Sequence, residues 1–391
     1  GYAGGKVANA LKAPRVSGYI VTGMILSPSI LGIFQLDLVR EDLSIITDIA
    51  LGIIAFSIGG ALEFSKIKRL GKQILWITLT QALGAFLLVT GLVALFFPMI
   101  VGSQSPLVAN YAPIAIVLGA ISIATAPAAT LGVIHEYRAS GPLTTVLLGV
   151  VTLDDALTII VFAFSVQLAG SLLTGEALSL AGMLAGPVME ILIALGLGGL
   201  GGLFLRKLVP VITNRSALLG VGLGTVFFTG GLAISLQSSA LLTNMTLGFM
   251  VVNFVRHGED LFSVVESIEE PVFAMFFVLA GAHLDLSGLQ TAIWLAVLII
   301  AGRFFGKFLG ARLGAAISGA PETIRKYLGF GLLPQAGVTI GLVLIARDLF
   351  VDPAISELMV NAVLGSVIIN ELLSPPMVRY ALLKSGEAKQ S

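Results

Sequence analysis

The sequence predicts an all-α polytopic membrane protein, and three observations carry that prediction. Only 44 of the 391 residues are Asp, Glu, Lys or Arg, 11% of the chain, against about 25% in ordinary soluble domains. Apolar residues make up 57% and glycine contributes 46 residues, more apolar surface than a soluble fold of this length can hide. The apolar runs also recur at the length a membrane requires, about 20 residues per helix. About a dozen spans with short loops use up the chain, leaving no sizeable soluble domain. Secreted, nucleic-acid-binding and cytosolic-enzyme readings are excluded. Zero cysteines remove disulfides, thiol catalysis and thiolate metal sites. The three scattered histidines, His135, His257 and His283, form no metal cluster.

Breaks of charge, glycine and proline divide the chain into spans over 15–34, 43–62, 72–97, 112–134, 142–169, 179–205, 216–235, 239–255, 268–284, 290–311, 325–346 and 356–380. The stretch from Gly1 to Lys12 reads as the tail of a further helix that begins upstream, which makes thirteen. No signal peptide is visible. Alternating the loops between two sides puts 19 basic residues on one, Lys307 among them, and only Arg40 and Arg347 on the other. Arg303 is left inside a span. Cytoplasmic loops carry the Lys/Arg excess, so the basic side and the C-terminus are expected to be cytoplasmic.

The chain carries an internal repeat. Phe56-Ser-Ile-Gly-Gly-Ala-Leu-Glu-Phe-Ser65 reads against Phe277-Val-Leu-Ala-Gly-Ala-His-Leu-Asp-Leu-Ser287, and Leu148 to Leu157 against Leu364 to Leu373. The second match sets Asp154-Asp155 opposite Asn370-Glu371. Six spans recurring after one linking span enter the membrane from opposite sides, the inverted-repeat pattern of secondary transporters. The expected units are 1–178, a linker helix and loop over 179–215, an inverted second repeat over 216–382 and a cytoplasmic tail over 383–391. Each half also has a candidate broken helix, at Pro127 and at Pro334 to Gly337. Proline removes a backbone donor, and freed backbone at membrane depth survives only against protein or a water-lined cavity.

Charges inside the membrane mark the site. Asp154 and Asp155 lie centrally in 142–169, where each costs about 2.5–3.5 kcal/mol on insertion scales. Neighbours on a helix differ by about 100°, so one can hold a partner while the other faces the pathway. Arg303 is the expected partner of Asp154, and Asp155 the pathway residue. A carboxylate there takes a proton or a small cation, never both, and that competition couples their movement. Thr125, Thr130 and carbonyls freed at Pro127 are candidates to complete an oxygen shell. Gln335 is a candidate to bond the second break. Glu371 is a second acidic candidate, with a structural role slightly favoured. Asp48 is a candidate funnel residue. Gly196-Leu-Gly-Gly-Leu-Gly201 matches the dinucleotide pattern but lacks its strand–helix setting; Gly198 and Gly202 instead offer a small-residue packing surface.

Thr-Leu-Asp154-Asp155-Ala-Leu, Ala-Thr125-Ala-Pro, Gly-Arg303-Phe-Phe-Gly-Lys, Pro334-Gln-Ala-Gly and Pro14 to Pro28 resemble the monovalent cation:proton antiporters, the Kef- and NapA-like branch in particular. The resemblance covers nearly the whole chain. It implies an NhaA-type inverted-repeat fold with two broken helices crossing near the midplane, a homodimer, an elevator-like core and a prokaryotic plasma membrane. It implies exchange of Na⁺, or Li⁺ or K⁺, for protons, with no cofactor, no nucleic acid and no enzyme activity. Asp155 matches the essential carboxylate and Asp154 its neighbour. Arg303 is read where electrogenic relatives carry Lys, and the acidic/basic signature of many relatives is replaced by Gln335-Ala-Gly. Arginine stays protonated, so a fixed Asp154–Arg303 pair predicts electroneutral exchange through Asp155 alone. A Kef-like potassium-efflux pathway is the alternative, weakened because no nucleotide-sensing domain follows Lys389. An intramembrane aspartyl protease is a weaker one, since its two carboxylates must face each other from separate helices.

Overall fold

The computed structural model describes residues 1–11, 13–34, 43–101, 111–174, 180–282, 289–335, 337–347, 349–350 and 352–388. His283, Arg40 and the end of the first repeat match lie outside them. The described residues form helices and no strand. In order they are α1 (Tyr2–Ala10), α2 (Arg15–Leu26), α3 (Ser44–Gly60), α4 (Phe64–Val101), α5 (Tyr111–Ile121), α6 (Pro127–Glu136), α7 (Pro142–Thr174), α8 (Leu180–Leu208), α9 (Arg215–Ser235), α10 (Ala240–Phe254), α11 (Gly258–Ala282), α12 (Leu289–Ser318), α13 (Glu322–Tyr327), α14 (Gly337–Arg347) and α15 (Pro353–Ser385). A 3₁₀ segment, Leu328–Leu332, follows α13. Six of them, α4, α7, α8, α9, α12 and α15, are long and apolar enough to cross a membrane.

Helix ends follow local chemistry. Proline opens α6, α7 and α15, at positions where its missing N–H costs nothing. Asn214 accepts hydrogen bonds from the amides of Ser216 and Ala217 to cap α9, and Asp352 accepts one from Ala354 to cap α15. Gly386, in the left-handed region at φ 79°, ends α15. Helix α11 begins at Gly258, ten residues ahead of the expected span at 268; its first turns are acidic and amphipathic, a pattern that apolar-run counting misses.

The two repeats interlock through close backbone crossings. Helix α3 packs on α10, and α2 packs on α11. At the first crossing a Cβ on Gly59 or Gly248 would strike the backbone of Met245 or Phe56. At the second, one on Gly23 or Gly281 would strike Val278 or Ile20. The most extensive contact joins α4 to α12. There Gly302, Gly306, Gly310 and Gly314 recur every fourth residue, the small-residue spacing that lets helices approach. A Cβ on Gly306 would lie 2.5 Å from the Gly84 carbonyl oxygen. The expected small surface of α8 is also present, with Gly198 and Gly202 against α10.

Candidate ion-exchange site

Both expected breaks exist, and they touch. Helix α5 stops at Ile121, the chain turns at Ser122 and Ile123 and stays non-helical through Ala126, and α6 resumes at Pro127. In the second half the 3₁₀ segment ends at Leu332, and α14 resumes at Gly337. The Ala126 amide donates to the Pro334 carbonyl at 2.9 Å, and the Thr130 hydroxyl donates to the Gly331 carbonyl at 3.2 Å. Thr125, Thr130, Pro127 and Gln335 are all buried here. Helix α7 delivers Asp154 and Asp155 to the same level, 0% and 4% exposed.

Asp154 does not pair with Arg303. Its partner is Lys307, whose ammonium lies 3.0 Å from Asp154 Oδ2, both side chains being fully buried. Gln81 donates to Asp154 Oδ1 at 2.6 Å, and the Thr125 hydroxyl also donates to Asp154. Lys307 further donates to Thr125 Oγ1 at 2.6 Å, to Gln81 Oε1 at 2.9 Å and to the Ile123 carbonyl. The loop count that set Lys307 among the cytoplasmic basic residues is corrected, since the close α4–α12 approach seals this lysine inside. Arg303, one turn earlier on α12, has a different task. Its guanidinium donates to the carbonyls of Ser122, Ala124 (2.9 Å) and Leu333 (3.3 Å). It thus collects the carbonyl ends of both broken helices, where the partial negative charge of a helix terminus gathers.

Asp155 stands apart. Among the described residues neither carboxyl oxygen meets a hydrogen-bond partner, and both are closed from solvent. Thr125 and Thr130, the expected oxygen shell, are committed to other partners. In the second half Gln335 is bonded through Oε1 by Asn370 at 2.9 Å and by Ser366 at 3.2 Å. Glu371 lies mid-helix, not at a span end, 4% exposed and also without a partner among the described residues. Asp48 and His135 are exposed; His257 faces Asp260 at 3.7 Å on the surface.

A cavity of about 580 Å³ opens beside α7, lined by Leu131, Thr144, Thr145 and Leu148 and rimmed by charged groups such as Arg69 and Glu266. Asp155 lies seven residues beyond Leu148, two helical turns and about 10 Å deeper on the same face. Nearby, Glu136 ends α6 and accepts two bonds from the Arg15 amide, at 3.0 and 2.8 Å. Burial pushes its carboxyl up from the ordinary range, with the Arg15 amide opposing.

A family model, sodium/hydrogen exchanger, transmembrane, matches residues 2–382. The chain belongs to the sodium/hydrogen exchanger family. It is therefore an integral membrane transporter and not an enzyme. Among its relatives, the high-affinity Na⁺/H⁺ antiporter NhaS3 of Synechocystis is 27% identical over 87% of this chain and 71% of its own length. The Na⁺/H⁺-K⁺ antiporter GerN of Bacillus cereus is 21% identical over 99% and 95%. Structures of the sodium proton antiporter MjNhaP1 of Methanocaldococcus jannaschii superpose with TM-scores of 0.69 and 0.73, at 20% and 19% identity, over at least 98% of this chain and 95% of theirs. The exchanger fold is thus that of the inverted-repeat antiporters.

Sequence reasoning missed Lys307 and Gln81. Each had a signal: Lys307 falls inside the 290–311 run one turn from Arg303, and Gln81 is the one side-chain amide in the interior of 72–97, Gln73 standing at its edge.

Proposed function

We propose that this exchanger trades a monovalent cation, Na⁺ in first place, for protons by alternating access, the two competing for Asp155. The observation that carries the reading is a buried mid-helix carboxyl with no hydrogen-bond partner among the described residues, beside a neighbour whose charge is already neutralised by Lys307. A lone carboxylate at that depth is costly, so it is expected to hold a proton or a cation at all times. Relatives named as Na⁺/H⁺ antiporters support the cation, and the relative named for Na⁺/H⁺-K⁺ exchange keeps K⁺ as the second reading. Asp154 and Thr125 would shape the pocket, and the cavity beside Leu148 would lead to it. We further propose a homodimer, the repeat boundaries 1–178 and 216–382, and a cytoplasmic location for the basic end, the last resting on the distribution of Lys and Arg.

Electroneutral exchange was expected because arginine cannot release its proton. With Lys307 beside Asp154 that premise is gone, since lysine shifts its proton affinity when buried. The Asp155 site by itself trades one cation for one proton, and a second proton must come from another buried group. The test of the site is Asp155→Asn in proteoliposomes, with proton efflux followed by a pH-sensitive dye as each cation is added. Efflux should vanish for every cation, and wild-type efflux would end the assignment.

A further inference from the structure

Glu371 has no part in the exchange just described, yet its surroundings repeat those of Asp155. In the first half, Asp154 binds Thr125 in the break of its own repeat, and the next residue, Asp155, is buried without a partner. In the second half, Asn370 binds Gln335 in the corresponding break, and the next residue, Glu371, is again buried without a partner. The depths agree as well. The Pro142 end of α7 and the Ser385 end of α15 lie together, because the Glu387 carboxylate accepts from the amides of Leu143 (2.6 Å) and Thr144 (2.7 Å). From those ends Asp155 is about 20 Å along α7 and Glu371 about 21 Å along α15, at 1.5 Å per residue.

Among the described residues no charged group bonds Glu371. Helix α15 packs against α2, α5, α6, α7, α12, α13, α14 and the 3₁₀ segment. Arg15 and Tyr19 on α2, Tyr111 on α5, His135 and Glu136 on α6, Asp154 and Asp155 on α7, Arg303, Lys307 and Arg312 on α12, Glu322, Arg325, Lys326 and Tyr327 on α13, Arg347 on α14, and Glu357, Arg379, Tyr380 and Lys384 on α15 itself are the ionisable groups these elements bring. None of them bonds Glu371. Arg303 is held by three carbonyls and Lys307 by Asp154. An ionised carboxylate without donors is too costly to bury, so Glu371 holds a proton in this conformation. Its own helix is interrupted beside it: Pro375 has no amide to bond the Glu371 carbonyl, and Pro376 none for that of Leu372.

We propose that Glu371 is a second proton-carrying carboxyl of the transport core, the counterpart of Asp155 in the other repeat, so that two protons move for each cation. The proposal rests on the Asp155 reading. The motion that gives Asp155 access to alternate sides also changes what covers α15, and Glu371 releases its proton when that face opens to water. One cation against two protons moves net charge, and each charge crossing the membrane potential is worth about 2.3 kcal/mol per 100 mV.

The full chain in proteoliposomes, with opposed pH and Na⁺ gradients, gives the proton-to-cation ratio from the gradient pair at which net flux vanishes. The wild type should balance at two protons per cation, and Glu371→Gln at one, with its dependence on membrane potential lost. A ratio of two in Glu371→Gln, or of one in the wild type, overturns the proposal while leaving Asp155 in place. Activity retained by Asp155→Asn would overturn the underlying reading instead. If Glu371→Gln does not transport, proton release on adding Na⁺ to detergent-solubilised protein decides. The variant should release half of what the wild type does, and equal release overturns the proposal. Glutamine matches the protonated acid in shape, so the variant should melt with the wild type. A large drop would mean that Glu371 is ionised in the fold, which also overturns it.

Discussion

Replacing Lys307 by methionine removes the cation from a pair whose members are both fully buried and 3.0 Å apart. Asp154 keeps the Gln81 and Thr125 donors, but its charge is left without a countercharge. Breaking such a pair from one side costs about 3–5 kcal/mol. At the lower end of the slope for larger domains, about 2 °C per kcal/mol, that lowers the melting temperature by about 6–10 °C. The double variant Asp154→Asn, Lys307→Met removes both charges, and the amide can still accept from Gln81. Because the penalty of the single change is largely the stranded carboxylate, the double variant should recover more than half of the loss. Thermal unfolding in detergent, followed by intrinsic tryptophan fluorescence, measures all three proteins. A Lys307→Met variant as stable as wild type would show that the pair contributes nothing. A double variant as unstable as the single one would show that Lys307 acts by packing and not by charge, and would refute the reasoning.

Other consequences follow from the same contacts. Gly306→Val places a side chain where a Cβ already lies 2.5 Å from the Gly84 carbonyl oxygen; it should cost about 1–3 kcal/mol and reduce proteoliposome transport. Gly91→Ala, on the same α4 but with open space around it, should change neither. Gln81→Leu removes a donor to Asp154 and an acceptor from Lys307, and should lower thermal stability by about 1–3 kcal/mol as well as slow exchange. Arg303→Met strands the carbonyls of Ser122, Ala124 and Leu333; hydrogen exchange in 122–126 should rise markedly, and Arg303→Lys should restore only part of the protection. Glu387→Ala uncaps α7 at the amides of Leu143 and Thr144, costing about 0.5–2 kcal/mol, with increased exchange confined to the first turn of that helix.

The fold was legible because lipid imposes a strict pattern: every span must be apolar along its length, and the few exceptions are visible against that background. The helices found at Ser44–Gly60, Arg215–Ser235 and Ala240–Phe254 fall within two residues of the runs read from composition. The breaks were legible from Pro127 and Pro334 for the same reason, since proline at membrane depth has few uses. The ion pair was not legible. A lone sequence places Arg303 and Lys307 on one α12 face but does not say which of the two reaches Asp154. That is set by the distance between α4 and α12, which four glycines at four-residue spacing reduce to backbone contact. Their spacing was there to be read, and it would have placed Gln81 and Lys307 in one buried layer.

The two cations of α12 divide one problem between them. Each broken helix leaves carbonyls without amide partners, and the first half adds two carboxyls. Arg303, with its planar fork of donors, suits several carbonyls at once, and it joins the break of one repeat to that of the other. Lys307 is a compact charge and meets Asp154 through a layer that also includes Gln81 and Thr125. Neither bonds Asp155, whose carboxyl is left without a hydrogen-bond partner among the described residues. Exchange of the two would be a poor substitution in both directions. A lysine at 303 could not span carbonyls from both breaks, and an arginine at 307 would need room that the glycine crossing does not leave. The identity of each cation thus follows from what it has to hold, and the unpartnered state of Asp155 follows from both being occupied elsewhere.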